Sequence, residues 1–333
     1  MEDKREVMSG SGGGVKPRAL VLLSGGLDSI LAAELLRRLG VDVVGITFTT
    51  PFFGSGGGRR AAEILGIPLE VVDITDRHLE VVKSPRFGYG KNLNPCIDCH
   101  ILMVKVALER MEELGAHFLA TGEVLGERPK SQNRQALELV ARFSGAGDLL
   151  LRPLSAKLLP PTRPEVLGWV DREKLLDIKG RSRKTQMRLA EEWGIEEYQT
   201  PAGGCLLTDP GFSRRLKVLM EAKRDFDAAD VELVKVGRQF WLRGNLLVLG
   251  RKHAENERLW QLYREGDRVF KERERPGPTA LWRPYAPDAR FTEEDLREVA
   301  RLLGLYGKRK EPLEPEEIVE VQPTADGEGG TDG

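Results

Sequence analysis

Six residues, Ser24-Gly25-Gly26-Leu27-Asp28-Ser29, stand between the apolar run Ala19–Leu23 and a helical pattern. A glycine pair at such a junction lets backbone N–H groups approach an anion closely, and the positive end of the helix dipole strengthens the attraction. Ser24 and Ser29 add hydroxyl donors. No lysine follows the last glycine, so the loop is not of the Walker type. Asp28 would repel phosphate unless a cation lay between them, which points to bound Mg²⁺ or to a helix-capping role. The chemistry these residues suit is phosphate binding without a lysine; the alternative is a plain strand-to-helix turn.

The chain has three cysteines. Asn94-Pro95 reads as a helix start, with Asn as cap and Pro in the first turn. Cys96 and Cys99 then share one face, and a first-turn position lowers thiol pKa and favours thiolate. His100 points elsewhere on that helix. Cys205 ends Pro201-Ala202-Gly203-Gly204-Cys205, expected as a flexible turn able to carry a sulfur to the other two. Three cysteines do not make a disulfide scaffold. Two are too few for a zinc or cluster cage, so Cys205 is the remaining candidate ligand. Buried, inert thiols are the alternative.

The elements that must position these groups follow from apolar patterning. Ala19–Leu23, Val41–Thr49, Leu69–Asp73 and His117–Thr121 read as strands. Ser29–Leu39, Arg59–Leu65 and Ile101–Leu114 read as helices, closed by Gly40, Gly66 and Gly115. Their alternation predicts an α/β fold, a doubly wound parallel sheet. Prolines then punctuate residues 153–164, and a helix is expected over Lys184–Trp193. Further on, Glu232–Val236, Gln239–Arg243 and Leu246–Leu249 read as short antiparallel strands and Glu255–Tyr263 as an amphipathic helix, a smaller C-terminal α+β domain.

At 333 residues and a net charge of -1, the bulk figures allow one large or two modest domains and say nothing of partners. The distribution of charge is more telling: residues 214–283 carry 17 Lys and Arg against 11 Asp and Glu. Residues 311–333 have eight acidic side chains and no basic one, and are expected to form a disordered tail. Residues 1–16 read as a flexible leader without a signal-peptide core. The expected plan is leader 1–16, catalytic domain 17–222, basic domain 223–310 and tail 311–333. No run approaches the ~18–20 apolar residues of a membrane span, so a soluble, cytoplasmic protein is expected.

SGGLDS resembles the PP-loop of the N-type ATP pyrophosphatases, whose fold is adenine nucleotide alpha-hydrolase-like. The resemblance implies that Ser24, Gly25, Gly26, Leu27, Asp28 and Ser29 hold the pyrophosphate end of ATP with Mg²⁺. It also places Thr47 and Phe48 by the adenine and makes Gly122 a second nucleotide contact. Residues 120–132, ATGEVLGERPKSQ, are similar to the ATGExLGQxxSQ segment of tRNA 4-thiouridine synthetases, and LRPLS at 151–155 to the RPL that follows it. NPCIDCH and AGGCLLTD look like the two cysteine loops of tRNA thiolation enzymes, including the 2-thiouridylases. The likeness runs from about residue 18 to about residue 210.

It implies a sulfurtransferase that adenylates a uridine oxygen of tRNA and replaces it with sulfur. Cys96, Cys99 and Cys205 resemble the ligand set of thiolation enzymes that hold a [4Fe–4S] cluster, in which the fourth iron has no protein ligand and can bind hydrosulfide. The alternative is a persulfide on Cys205, released by Cys96 or Cys99. In either case a sulfide or persulfide donor is required, and no rhodanese segment is recognisable in the chain. Arg128, Lys130, Ser131 and Gln132 form a loop expected to meet ATP phosphates or the tRNA backbone. VLGRKHAENERLW resembles NFACT-type RNA-binding domains, and Arg238, Arg243, Arg251 and Lys252 are the expected RNA contacts. Trp260 and Tyr263, at helical spacing, are expected in the core. Two rival readings are a zinc-dependent enzyme of the same superfamily acting on a small molecule and a non-catalytic, nucleotide- or redox-sensing RNA-binding protein.

Overall fold

The computed structural model describes residues 16–199, 204–286, 288–323 and 329–330. Most of the leader, the Pro201-Ala202-Gly203 turn and most of the last ten residues lie outside them. Two compact units are present: Met1–Thr49, Gly54–Asp73 and Cys96–Gly204 form the first, and Thr50–Phe53, Ile74–Pro95 and Cys205–Gly333 the second.

The first unit begins with β1 (Arg18–Leu22), α1 (Leu27–Arg38), β2 (Asp42–Thr49), α2 (Gly56–Leu65) and β3 (Leu69–Asp73). The chain passes through the second unit as α3 (Thr75–Lys83). It returns for α4 (Cys96–Met111), β4 (Phe118–Thr121), α5 (Arg134–Ser144), β5 (Leu150–Leu151), α6 (Arg163–Val166) and α7 (Lys184–Glu192). The five strands are parallel in the order β3-β2-β1-β4-β5. Ala19, Leu20 and Val21 of β1 are fully buried, because a central parallel strand has helices over both faces. Strand order reverses at β1, with β2 and β3 on one side and β4 and β5 on the other. Ligands of doubly wound sheets bind at such a switch point.

Three helices start earlier than their apolar period indicates: α1 at Leu27, α2 at Gly56 and α4 at Cys96. The first turn of α2, Gly56-Gly57-Gly58-Arg59, carries no large apolar residue, and in α1 and α4 the first apolar residue, Leu27 or Ile97, is followed by a polar one, so the period is clear only a turn later.

From Cys205 onward the second unit contains α8 (Pro210–Ala222), α9 (Ala228–Lys235), β6 (Arg238–Leu242), β7 (Asn245–Leu249) and α10 (His253–Gln261). It continues with β8 (Arg268–Glu272), β9 (Ala280–Arg283), α11 (Glu293–Tyr306), β10 (Ile318–Pro323) and β11 (Gly329–Gly330). The sheet is antiparallel, in the order β11-β10-β8-β9-β7-β6. Among the described residues no helix is long and apolar enough to cross a membrane.

Three expectations change here. Glu232–Val236 is not a strand; it is mostly the end of α9, which is nucleated by a capping box between Asp227 and Asp230. The acidic end is ordered through residue 323: β10 pairs with β8, Arg268 bonds Glu320, and Leu313, Ile318 and Val321 are buried. Three well-spaced apolar residues outweigh the acidic composition there. The change of unit falls at Gly204/Cys205 rather than near 222. The reason is that Phe212, Leu216 and Leu219 of α8 join the same core as Phe226 and Val231.

His78 lies in that core with no exposure, against the rings of Phe52 and Phe53, and neither ring nitrogen has a hydrogen-bond partner among the described residues. Burial lowers its pKa to about 4. Because the unfolded chain takes up the proton first, stability is fully present above pH ~6.5 and is lost as pH falls toward 4, by up to ~3 kcal/mol. Denaturant midpoints measured between pH 7 and pH 4.5 should therefore fall more steeply for the wild type than for His78→Leu. Parallel slopes would refute the assignment.

Candidate functional site

Three backbone segments close on one another at the carboxyl end of β1. Gly25 has φ +83, and a Cβ there would fall 2.4 Å from the Gly57 carbonyl, so only glycine fits. At Gly58 a Cβ would meet Thr47 Oγ1 at 2.4 Å, and at Gly122 it would meet the Ser29 nitrogen at 2.4 Å. The loop, the head of α2 and the end of β4 thus pack backbone to backbone. Gln199 N–H donates to the Gly25 carbonyl at 2.9 Å, and Ser29 Oγ donates to the Gly26 carbonyl at 2.8 Å. Ser24 is exposed, whereas Leu27 is fully buried in the core and Thr47 and Phe48 are each 5% exposed.

Asp28 does not cap its helix: Gly26 holds that position with no side-chain bond. Its carboxylate instead lies beside Glu127 and Gln186, with Arg183 and Arg128 near. Burial raises the Asp28 pKa against the pull of Arg183. Burial and then the Asp28 charge push Glu127 up to about 7. Asp28 Oδ1, Glu127 Oε2 and both amide atoms of Gln186 have no hydrogen-bond partner among the described residues.

The loop after β4 is held from within. Gly126 N–H donates to the Gln132 carbonyl, and Gln132 Oε1 accepts from Arg128 N–H. Ser131 and Gln132 are buried, so they shape the loop, while Arg128 and Lys130 remain exposed.

Cys96 and Cys99 occupy the first and fourth positions of α4, both half-buried. The next residue anchors the helix: His100 Nδ1 lies 2.8 Å from Glu123 Oε1. Glu123 also accepts from Arg152 Nε and Thr121 Oγ1, each at 3.0 Å. Burial alone would raise the Glu123 pKa, but Arg152 and His100 together hold it down to about 2. Removing one member of a buried ion pair strands the other, at a cost of ~3–5 kcal/mol. Glu123→Ala should therefore lower unfolding free energy by that amount in denaturant titration; a loss under ~1 kcal/mol would mean Arg152 finds another partner.

Cys205 belongs to the second unit, where it is half-buried at the start of a short 3₁₀ turn. Within either unit, no three His, Cys, Asp or Glu side chains among the described residues gather as metal ligands. Of the expected RNA contacts, Arg243 is bonded to Glu294 and Thr292, Arg251 to Glu255, and Arg238 lies over the Tyr306 ring. Lys252 is exposed. Trp260 is buried, as its helical spacing indicates.

Sequence reading did not assign Glu127, Arg183 and Gln186 to the site, or join His100 to Glu123 and Arg152. The only local signal was the basic turn Gly180-Arg181-Ser182-Arg183 ahead of α7.

The fold is a doubly wound parallel sheet with a lysine-free glycine loop at its switch point. Comparison with known proteins narrows the class. Residues 14–157 match the family described as "Thiamine biosynthesis protein (ThiI)". The tRNA-specific 2-thiouridylase MnmA of Methylobacterium nodulans is 37% identical over 139 residues, 36% of this chain and 36% of its own. That of Xanthobacter autotrophicus is 30% identical over 213 residues, 58% of this chain and 51% of its own. The chain thus spans between a third and about half of the relatives it matches. A 4-thiouridine synthetase–RNA complex with bound ATP aligns at 20% identity and TM-score 0.37, over 66% of this chain and 52% of that one. A predicted subunit of a tRNA methyltransferase from Methanocaldococcus jannaschii aligns at 18% identity and TM-score 0.34, over 53% and 76%. Over its first unit the chain is thus similar to tRNA thiolation enzymes.

Proposed function

We propose that the protein is an ATP-dependent tRNA sulfurtransferase. ATP would bind with its pyrophosphate end in the 24–29 loop, accompanied by Mg²⁺. A uridine carbonyl oxygen attacks the α-phosphorus and pyrophosphate leaves. Sulfide then attacks the activated carbon, and AMP departs with the original oxygen, so the exchange involves no net redox change. The observation that carries this reading is the tie between His100 and Glu123. It fastens the helix bearing Cys96 and Cys99 to the end of β4, where Gly122 packs against the nucleotide loop.

Cys96 and Cys99, three residues apart in one helical turn, would hold a [4Fe–4S] cluster together with Cys205, and three thiolates suit such a group. When bound, the cluster would supply an iron position without a protein ligand at which sulfide is presented. The protein's own part is to fix the two α4 thiols through His100 and to bring the phosphates onto backbone N–H groups at Gly25 and Gly26. Exposed Arg128, Lys130 and Lys252 are suited to tRNA phosphates.

The test is to purify the protein without oxygen and assay iron and acid-labile sulfide. It is then incubated with unmodified tRNA, Mg·ATP and sulfide, and the digested nucleosides are examined by mass spectrometry. Thiouridine that depends on ATP supports the reading. Pyrophosphate release with no thiouridine in any tRNA would overturn it. Thiouridine without iron would retain the sulfurtransferase and remove the cluster.

A further inference from the structure

We infer that a cavity in the second unit, between α8 and residues 85–95, seats one unstacked base of the RNA together with its phosphate. This rests on reading the protein as a tRNA-modifying enzyme. The cavity has a volume of about 400 Å³ and is lined by Tyr89, Leu93, Lys217, Met220, Glu221 and Arg224. That lies within the span of small-ligand sites, roughly 300–1,000 Å³. Tyr89, Leu93 and Met220 are half-buried and supply an apolar, partly aromatic wall. The Tyr89 hydroxyl donates to the Val82 carbonyl at 2.7 Å, so the ring is held in place before anything binds. A fixed aromatic ring beside aliphatic side chains is a stacking platform for a splayed base.

The rim carries the charge that a nucleotide needs. Arg224 is exposed and has no ion pair or hydrogen bond among the described residues. Lys217 meets Glu221 only at 4.0 Å, with both side chains about two-thirds exposed, a pair worth little and readily exchanged for a phosphate. Arg214, three residues earlier in α8, and Lys91, in the loop, add exposed cations. By contrast, Arg243 and Arg251 are already engaged by carboxylates. The cavity also adjoins the third cysteine within one unit. Asn92 Nδ2 donates to the Thr208 carbonyl at 2.7 Å, and Thr208 Oγ1 donates to the Cys205 carbonyl at 2.6 Å. Leu93 and Cys205 pack against the same core. A nucleotide held here is therefore anchored on the turn that carries the proposed third thiolate.

The probe is a fluorescently labelled, unmodified tRNA transcript, titrated with the full chain by anisotropy at several salt concentrations. Binding of a non-hydrolysable ATP analogue and thermal unfolding are measured on the same preparations. Tyr89→Leu should weaken tRNA binding at least ~5-fold without changing its salt dependence, whereas Tyr89→Phe, which keeps the ring, should stay within about twofold of wild type. Arg224→Ala should lower the slope of log affinity against log salt by about one. Each variant should bind the analogue as wild type does. Arg224 is exposed, so its variant tests the cavity even if Tyr89→Leu unfolds. If Arg224→Ala keeps the full slope, or folded Tyr89→Leu keeps wild-type affinity, this inference fails alone. Competition by free UMP or AMP at micromolar concentration would make a mononucleotide the occupant and overturn the assignment to RNA. If wild type binds no tRNA, the sulfurtransferase reading fails with it.

Discussion

Asp28→Ala is expected to suppress release of pyrophosphate from ATP by at least ~100-fold, the scale of losing one preorganised electrostatic contact to a phosphoryl-transfer transition state. The side chain has no part in starting α1, whose cap is Gly26. Its Oδ1 is buried without a hydrogen-bond partner among the described residues. Removing a desolvated carboxylate should leave the melting temperature unchanged or raise it, in contrast to the loss expected for Glu123→Ala. A coupled pyrophosphate assay and a thermal melt on one preparation separate the two roles. Activity within a few-fold of wild type would take Asp28 out of the reaction. A collapsed melting temperature would make it structural.

Cys96→Ala, Cys99→Ala and Cys205→Ala are each expected to bring thiouridine formation below detection while sparing ATP-dependent pyrophosphate release. The separation follows from placement. The loop, α2 and the end of β4 pack through glycine backbones to form the proposed phosphate cradle, and no cysteine takes part in that packing. Cys99→Ala also keeps His100 and its contact with Glu123, so α4 should stay anchored. Thiouridine is measured in digested tRNA by mass spectrometry and pyrophosphate in the same reaction. Thiolation by Cys205→Ala at the wild-type rate would end the three-cysteine mechanism. Loss of pyrophosphate release in all three variants would place the thiols in the adenylation step instead.

The second unit shows where local reading fails. Glu232–Val236 reads as a strand from its local apolar residues, yet the Asp227–Asp230 capping box starts a helix that runs through Lys235. At residues 311–323 composition indicates disorder, yet three apolar contacts and the ladder to β8 order the segment. In both cases a few specific interactions outweighed an average over many residues.

By itself the sequence determined the first unit's class, since continuous apolar runs alternating with helical periods have few solutions other than a parallel sheet. It also marked the glycine loop proposed to bind phosphate, because consecutive glycines at a strand end are a local backbone property. Only the tertiary structure decided what surrounds that loop. Asp28, Glu127 and Gln186 come from α1, the turn after β4 and α7, and each is unremarkable among its sequence neighbours. Parallel topology sends successive strand ends to one edge, so distant residues meet there and acquire their chemistry from one another.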